Sequence, residues 1–389
     1  MFKVTFSFED GSMVETFANA GDNLLEVARS ANVAIDAPCS GNGACGKCRV
    51  QLKSGELESK KTLHISDEEY QAGWRLSCCS KISADVNVLV PDIASAYKSR
   101  MKVADLSSKE EIAIFENAKS DIQLAGIELK NSLEVVDVLM DVPSLDDTMP
   151  DNERLTRALR KYLNINRVRI PYVVLKKLPD VLRENNFAVK CVIRATSDDM
   201  YVYDIFGKDE DVIIGGLAID IGTTTVSAVL INMENGEILA KSSAGNGQIR
   251  FGADVINRIV ESQKPGGQKK LQDAVIKETI NPMIHEMCKS AKFPKDHIYR
   301  MCVASNTTMN HLFAGINADP LRTEPYIPAF FKTNSLFASD VGVDINKDAH
   351  IIMAPNIGSY VGGDITAGTL VSQIWNRPEF SLFIDLGTN

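Results

Sequence analysis

The sequence lacks a long apolar run. Nowhere do about 18 hydrophobic residues follow one another, so no membrane-spanning helix is encoded. It also lacks an excess of positive charge: 42 Lys and Arg stand against 51 Asp and Glu, for a net charge of -9. That balance argues against nucleic acid or an anionic membrane as the main partner, because both recruit clustered cations. An acidic surface suits another soluble protein instead. The opening MFKVTFSFEDGS alternates like a strand and leaves no room for a signal peptide, which implies a cytoplasmic location. The five histidines, His64, His285, His297, His311 and His350, fall in no ligand-like cluster and receive no role. What is there is ordinary in bulk: 389 residues, 44% hydrophobic and 24% charged, enough for two or three domains with their own cores.

The eight cysteines are unevenly spread, with Cys39, Cys45, Cys48, Cys78 and Cys79 gathered near the start. Without a signal peptide, metal or redox duty is a better reading than disulfides. The stretch CSGNGACGKC, residues 39–48, matches three templates at once. Its glycines Gly41, Gly43 and Gly46 spell a dinucleotide fingerprint, but that motif must follow a buried strand and open a helix. Here Ala37 and Pro38 precede it and the strand-like KCRVQL follows. A phosphate-binding P-loop needs Ser or Thr after its lysine, and Cys48 stands there. The metal reading survives: three thiolates in one loop, with a fourth supplied by WRLSCC, residues 74–79. Zinc favours two separate C-x2-C knuckles, whereas three ligands in a glycine-rich loop wrap one side of a [2Fe-2S] cluster. The glycines then let backbone amides point at anionic sulfur.

This region resembles the [2Fe-2S] ferredoxin family, closer to its vertebrate-type C-x5-C-x2-C spacing than to the plant type. The resemblance implies a β-grasp fold, and a fourth ligand after Arg-Leu-x, which selects Cys78 and leaves Cys79 a spare thiol. The metal ligands are then Cys39, Cys45, Cys48 and Cys78. Cys191, Cys288 and Cys302 lie in apolar text and are expected to be inert core residues.

Strand and helix patterning divides the rest. Residues 1–92 form the ferredoxin-type domain, and 93–125 a polar, partly helical linker. Residues 126–208 form a small α/β middle domain with strands at SLEVVDVLM, FAVKCVIRAT and MYVYDIF; a helix bearing Leu155, Ala158, Leu159, Tyr162 and Leu163 on one face and a second helix near VVLKKLPDVLREN lie among them. From 212 to 389 a further α/β domain begins with LAIDIGTTTVSAVLI, residues 217–231. That is an apolar strand, a tight polar turn and a second apolar strand. Gly222, Thr223, Thr224 and Thr225 are richer than a turn requires, and their amides and hydroxyls suit a phosphate, while Asp220 suits a magnesium ion held through water. LFIDLGTN, residues 382–389, repeats the pattern with Asp385, Gly387 and Thr388.

Paired D-x-G-T hairpins resemble the actin, hexokinase and Hsp70 ATPase superfamily, with its ribonuclease H-like fold and two halves closing over ATP. Residues 303–315 (VASNTTMNHLFAG) and 360–368 (YVGGDITAG) resemble more closely a subgroup in which this ATPase follows a [2Fe-2S] domain. Those proteins are reductive activators of corrinoid iron-sulfur proteins and corrinoid-dependent methyltransferases. The resemblance implies a multidomain α/β chain using ATP and Mg2+, with Asp220 and Asp364 catalytic and the two Gly-Thr loops binding nucleotide. It implies one-electron reduction of a partner's corrinoid from Co(II) to Co(I), fed by a low-potential donor. An uphill gap on the order of 100 mV costs about 2.3 kcal/mol for one electron, which ATP would supply. No D-x-H-x-x-G corrinoid motif occurs, so the corrinoid is expected on the partner. A homodimer is compatible with the sequence. The rival is a plain [2Fe-2S] electron-transfer protein whose ATPase-like part only docks a partner. The chain stops at Asn389 within the second loop, where the superfamily continues into the subdomain bearing the adenosine pocket, so a C-terminal truncation and weak ATP binding are expected.

Overall fold

The computed structural model describes the chain apart from residues 9–10, 12, 32, 34, 36, 38–40, 42, 44–45, 92–108, 130–131, 164, 253, 334–335 and 386–389. The first sheet comprises β1 (Phe2–Phe8), β2 (Met13–Ala18), β3 (Arg49–Ser59), β4 (Trp74–Leu76) and β5 (Ser80–Val90), in the order β2-β1-β5-β3-β4. Alternation in β1 turns Val4 and Phe6 inward, and β1 runs parallel to β5 while its other neighbour is antiparallel. Helix α1 (Leu24–Ser30) crosses the sheet, capped by Asn23, whose side chain accepts from the amides of Leu25 and Glu26. Its Leu24, Leu25, Val27 and Ala28 complete the core. A short α2 (Asp67–Gln71), closed by a Ser66–Glu69 capping box, leads into β4. Helix α3 (Lys109–Leu124) precedes the second sheet.

That sheet comprises β6 (Leu133–Leu139), β7 (Arg167–Arg169), β8 (Ala188–Ala195) and β9 (Asp199–Gly207), in the order β6-β8-β9-β7. Helices α4 (Asp151–Leu163) and α5 (Tyr172–Glu184) cover one face, where Leu155, Leu159, Val174, Leu178 and Leu182 meet Val189, Cys191 and Val202. The strands read as nearly unbroken apolar runs because the other face is covered too. Val192, Tyr203 and Phe206 pack there with Val212, Ile214 and Tyr299 of the third sheet.

The third sheet comprises β10 (Gly215–Ile221), β11 (Thr225–Asn232), β12 (Ile238–Gly245), β13 (Ile298–Ser305), β14 (Leu336–Phe337) and β15 (His350–Met353), in the order β12-β11-β10-β13-β15-β14. β10 pairs antiparallel with β11 and parallel with β13, and β13 is parallel to β15. Its covering helices are α6 (Val255–Ser262), α7 (Gly267–Val275), α8 (Asn281–Ala291) and α9 (Thr307–Ala314); α10 (Ala338–Val341) and α11 (Gly363–Ser372) follow. The molecule is thus mixed α/β throughout, and no helix among the described residues is long and apolar enough to cross a membrane.

Two expectations are corrected. Cys302 is exposed, because β13 alternates and turns Met301 and Val303 inward on either side of it. Residues 382–385, expected to start a second hairpin strand, form no strand, because none of the described residues supplies a ladder partner. Phe380, Leu382 and Ile384 accordingly stand exposed.

Candidate functional site

Two groupings of chemistry-bearing residues emerge. The first is the cysteine loop. Cys39 and Cys45 lie outside the described residues. Cys48 is buried and precedes β3, and Cys78 follows β4; the β3–β4 pairing brings their sulfurs to 3.2 Å. That exceeds a disulfide bond of about 2.05 Å and approaches the roughly 3.8 Å between two thiolates on one tetrahedral metal. Both backbones are pinned: the Ser77 amide donates to the Cys48 carbonyl at 2.8 Å, and Asn23 Nδ2 donates to the Cys78 carbonyl at 2.8 Å. The hydrogen bond between the two thiols pushes Cys48 down to about 6 and, with burial, Cys78 up. One sulfur of the pair is therefore readily anionic, the form that binds metal. Gly41, Gly43 and Gly46 all adopt positive φ, +92°, +74° and +65°. A Cβ on Gly46 would strike the His64 side chain at 2.7 Å. Cys79 stands 3.6 Å from Cys78, with its sulfur beside Gly43. These two thiols, with loop glycines already in left-handed conformations, fit a metal-sulfur cluster.

The second grouping lies at the C-terminal ends of β10 and β13, where parallel strands commonly present ligands. β10 ends one residue beyond Asp220, and Gly222–Thr224 make the turn into β11, closed by the Gly222 amide donating to the Thr225 carbonyl at 2.9 Å. A Cβ on Gly222 would sit 2.7 Å from that oxygen. The loop is tied from behind. Asn246 donates through its amide to Thr224 O and through Nδ2 to Gly222 O, both at 2.8 Å. Fully buried Arg258 of α6 donates to Thr223 O. Thr223 is itself buried, and Thr224 and Thr225 are half-buried.

Opposite, Gly362 and Gly363 let Asp364 open α11 in close contact with the strand ends: a Cβ on Gly362 would collide with Asn306 Cα. The Gly363 amide donates to Asn356 Oδ1 at 3.1 Å, and Asn310 Nδ2 donates to the same oxygen at 2.8 Å. Solvent reaches the Asp220 carboxylate, yet protein crowds its flanks. That crowding, with the charges of Asp364 and Asp385, pushes it up to about 6. Burial and Asp385 push Asp364 up as well. Asp220 and Asp364, whose charged forms are both disfavoured here, would gain from a cation between the strand ends and α11. Asp385 is exposed, while Gly387 and Thr388 lie outside the described residues. Asn246, Arg258, Asn310 and Asn356 escaped sequence reasoning, since nothing but their polarity within apolar text marks them.

Comparison with known proteins follows the same divisions. Residues 7–83 match the 2Fe-2S iron-sulfur cluster binding domain, 122–212 the RACo linker region, and 215–377 the RACo middle region. The corrinoid activation enzyme RamQ of Eubacterium limosum is 28% identical over 368 residues, 94% of this chain and 55% of that protein. The solved structure of a reductive activator for corrinoid, iron-sulfur protein superposes with a TM-score of 0.60 at 32% identity, covering 100% of this chain and 60% of the other. A polypeptide of the Na(+)-translocating NADH-quinone reductase of Actinobacillus succinogenes is 35% identical over 91 residues, 23% of this chain and 22% of that one. The chain thus spans little more than half the length of RamQ and of the solved activator.

Proposed function

Since the chain carries the ferredoxin-type, linker and middle regions of the RACo family in order, we propose that it delivers single electrons for the ATP-dependent reductive activation of a corrinoid protein or corrinoid-dependent methyltransferase. The observation that carries the reading is the presence, in one chain, of a glycine-shaped thiol pair and a Gly-Thr loop held from behind by Asn246 and Arg258 beside Asp220. Cys39, Cys45, Cys48 and Cys78 would hold a [2Fe-2S] cluster, which when bound accepts and releases one electron at a time. Burial of Cys48 keeps water from its sulfur, and the positive-φ glycines would let loop amides turn towards a bound cluster.

At the other site Asp220, Asp364 and Asp385 would hold magnesium, and Gly222, Thr223, Thr224 and Thr225 would line the phosphates, with Gly387 and Thr388 facing them. Asn246 and Arg258 fix the carbonyls of the first loop, so its shape exists before a nucleotide arrives. The corrinoid being on a partner, a low-potential donor would refill the cluster. Spending ATP suits a reduction from Co(II) to Co(I) that is uphill for the donor. The reading places the work in the cytoplasm.

The test follows cobalt reduction spectroscopically with a Co(II) corrinoid protein and a chemical reductant. Asp220→Ala should keep the iron-sulfur spectrum and lose the ATP-stimulated rate by on the order of tenfold or more, about 1.4 kcal/mol of coupling. Equal rates with and without ATP would instead favour a plain electron-transfer protein with an ATPase-like docking scaffold.

A further inference from the structure

The first loop and the cluster domain are joined by a short chain of contacts. Asn246 holds the Gly222–Thr225 loop and caps the turn Gly247–Phe251 through its Oδ1, which accepts from the Gln248 amide at 2.9 Å. The turn is wedged in place. The Gly247 amide donates to Thr279 Oγ1 at 3.0 Å, Gln248 Nε2 donates to Leu271 O at 2.8 Å, and Arg258 Nε donates to Gly252 O at 2.8 Å while its other end reaches Thr223. A Cβ on Gly247 would meet Ala274 O at 2.6 Å, so the backbone there has no slack.

On the far side of this turn, the Arg250 carbonyl accepts from Arg29 Nε at 3.1 Å. Arg29 ends α1 of the cluster domain and is only 6% exposed; Glu26 holds its Nη1 at 2.7 Å, and its Nη2 is buried without a hydrogen-bond partner among the described residues. A cleft of about 400 Å³ opens beside it, lined by Glu26, Arg29, Arg250, Glu261, Asp273 and Glu278 among others. At the other end of the same helix, Asn23 holds the Cys78 carbonyl. One helix therefore reaches a cluster ligand through its N-cap residue and the turn behind the phosphate loop from its last turn.

We propose that the turn Gly247–Phe251 is a joint and Arg29 a positioning residue. Together they seat the cluster domain on the residues that shape the Gly222–Thr225 loop, so that a change in that loop is felt at the cluster domain. The name given to what the loop holds rests on the nucleotide reading above; the joint itself rests on the contacts. Among the described residues the contact is one hydrogen bond and a charged cleft, small beside ordinary domain interfaces, which suits a seat that is left and retaken.

Small-angle scattering of the cluster-bearing chain reads the docking as its radius of gyration, with visible absorbance checking that the cysteine loop is intact. Arg29→Glu should raise the radius and Arg29→Lys should not. Asn246→Asp keeps the cap oxygen but loses the donor to Gly222 O, touches no residue of the cluster domain, and should raise the radius as well. If Arg29→Glu loses its absorbance, Arg29→Gln puts the same question. A charge-reversed chain as compact as wild type overturns the seat, and a compact Asn246→Asp chain overturns the joint. Cobalt reduction by Asp220→Ala judges the nucleotide reading separately: an ATP-stimulated rate that this variant leaves unchanged sinks that reading and leaves the joint standing.

Discussion

Cys78 and Cys79 are chemically identical neighbours, and geometry alone separates them. Cys78 lies 3.2 Å from Cys48 and has its carbonyl held by Asn23, whereas the Cys79 sulfur lies 3.6 Å from Cys78 and beside Gly43 of the loop. Replacing Cys78 with Ser should abolish or strongly perturb the visible absorption of anaerobically purified protein, and Cys79→Ser should leave it. Bleaching by Cys79→Ser alone would transfer the ligand role. At this scale the cysteine spacing was legible because a metal site imposes fixed intervals on a loop. Asn246 and Arg258 were illegible because they come from distant segments and reach the loop through backbone carbonyls, which leave no imprint on residue type. Cys302 was misjudged because apolar neighbours on a strand say nothing of which face a residue takes.

Single elements were easier to foresee than their arrangement. The strands and helices of the first two sheets follow from alternation and helical spacing, and α4 and α5 sit where their apolar faces predict. Sheet order is another matter, since β6-β8-β9-β7 depends on partners far along the chain. Residues 381–385 show the same limit from the other side: strand-like text remains coil where no described neighbour pairs with it. Within β3 one residue decides the geometry. Gly55 sits at a register shift against β5 with φ of +89°, and a Cβ there would collide with Asp85 O. Gly55→Ala should destabilise the cluster domain by roughly 2 kcal/mol or more, combining left-handed strain with the clash. A lowered midpoint of thermal unfolding, followed through cluster bleaching, checks this; an unchanged midpoint would mean that the bulge relaxes.

For the whole molecule, the seam between the second and third sheets carries the pH dependence. Arg194 on β8 donates to His350 Nε2 on β15 at 3.1 Å, which requires that nitrogen unprotonated, and Tyr203 and Arg300 lie close by. Burial first, then the charges of Arg194 and Arg300, lower His350 from 6.5 to about 4. Within that window the unfolded chain takes up a proton that the folded chain refuses, so stability falls as pH drops from about 6.5 towards about 4. His350→Asn should flatten this slope in denaturant titrations across those pH values. It should not remove it, since burial lowers His297 and His311 in the same direction. An unaltered slope would clear His350 of the effect. The single hydrogen bond from Arg29 to Arg250 O has a consequence of its own at this scale. However residues 92–108 are arranged, the interval from Pro91 to Lys109 cannot exceed about 60 Å when fully extended. A tether of that length keeps the cluster domain at an effective concentration on the order of millimolar around its seat. A contact with a dissociation constant of about 1 mM, far too weak to hold two separate proteins together, would then be occupied about half the time, leaving the domain free for the other half to meet a redox partner.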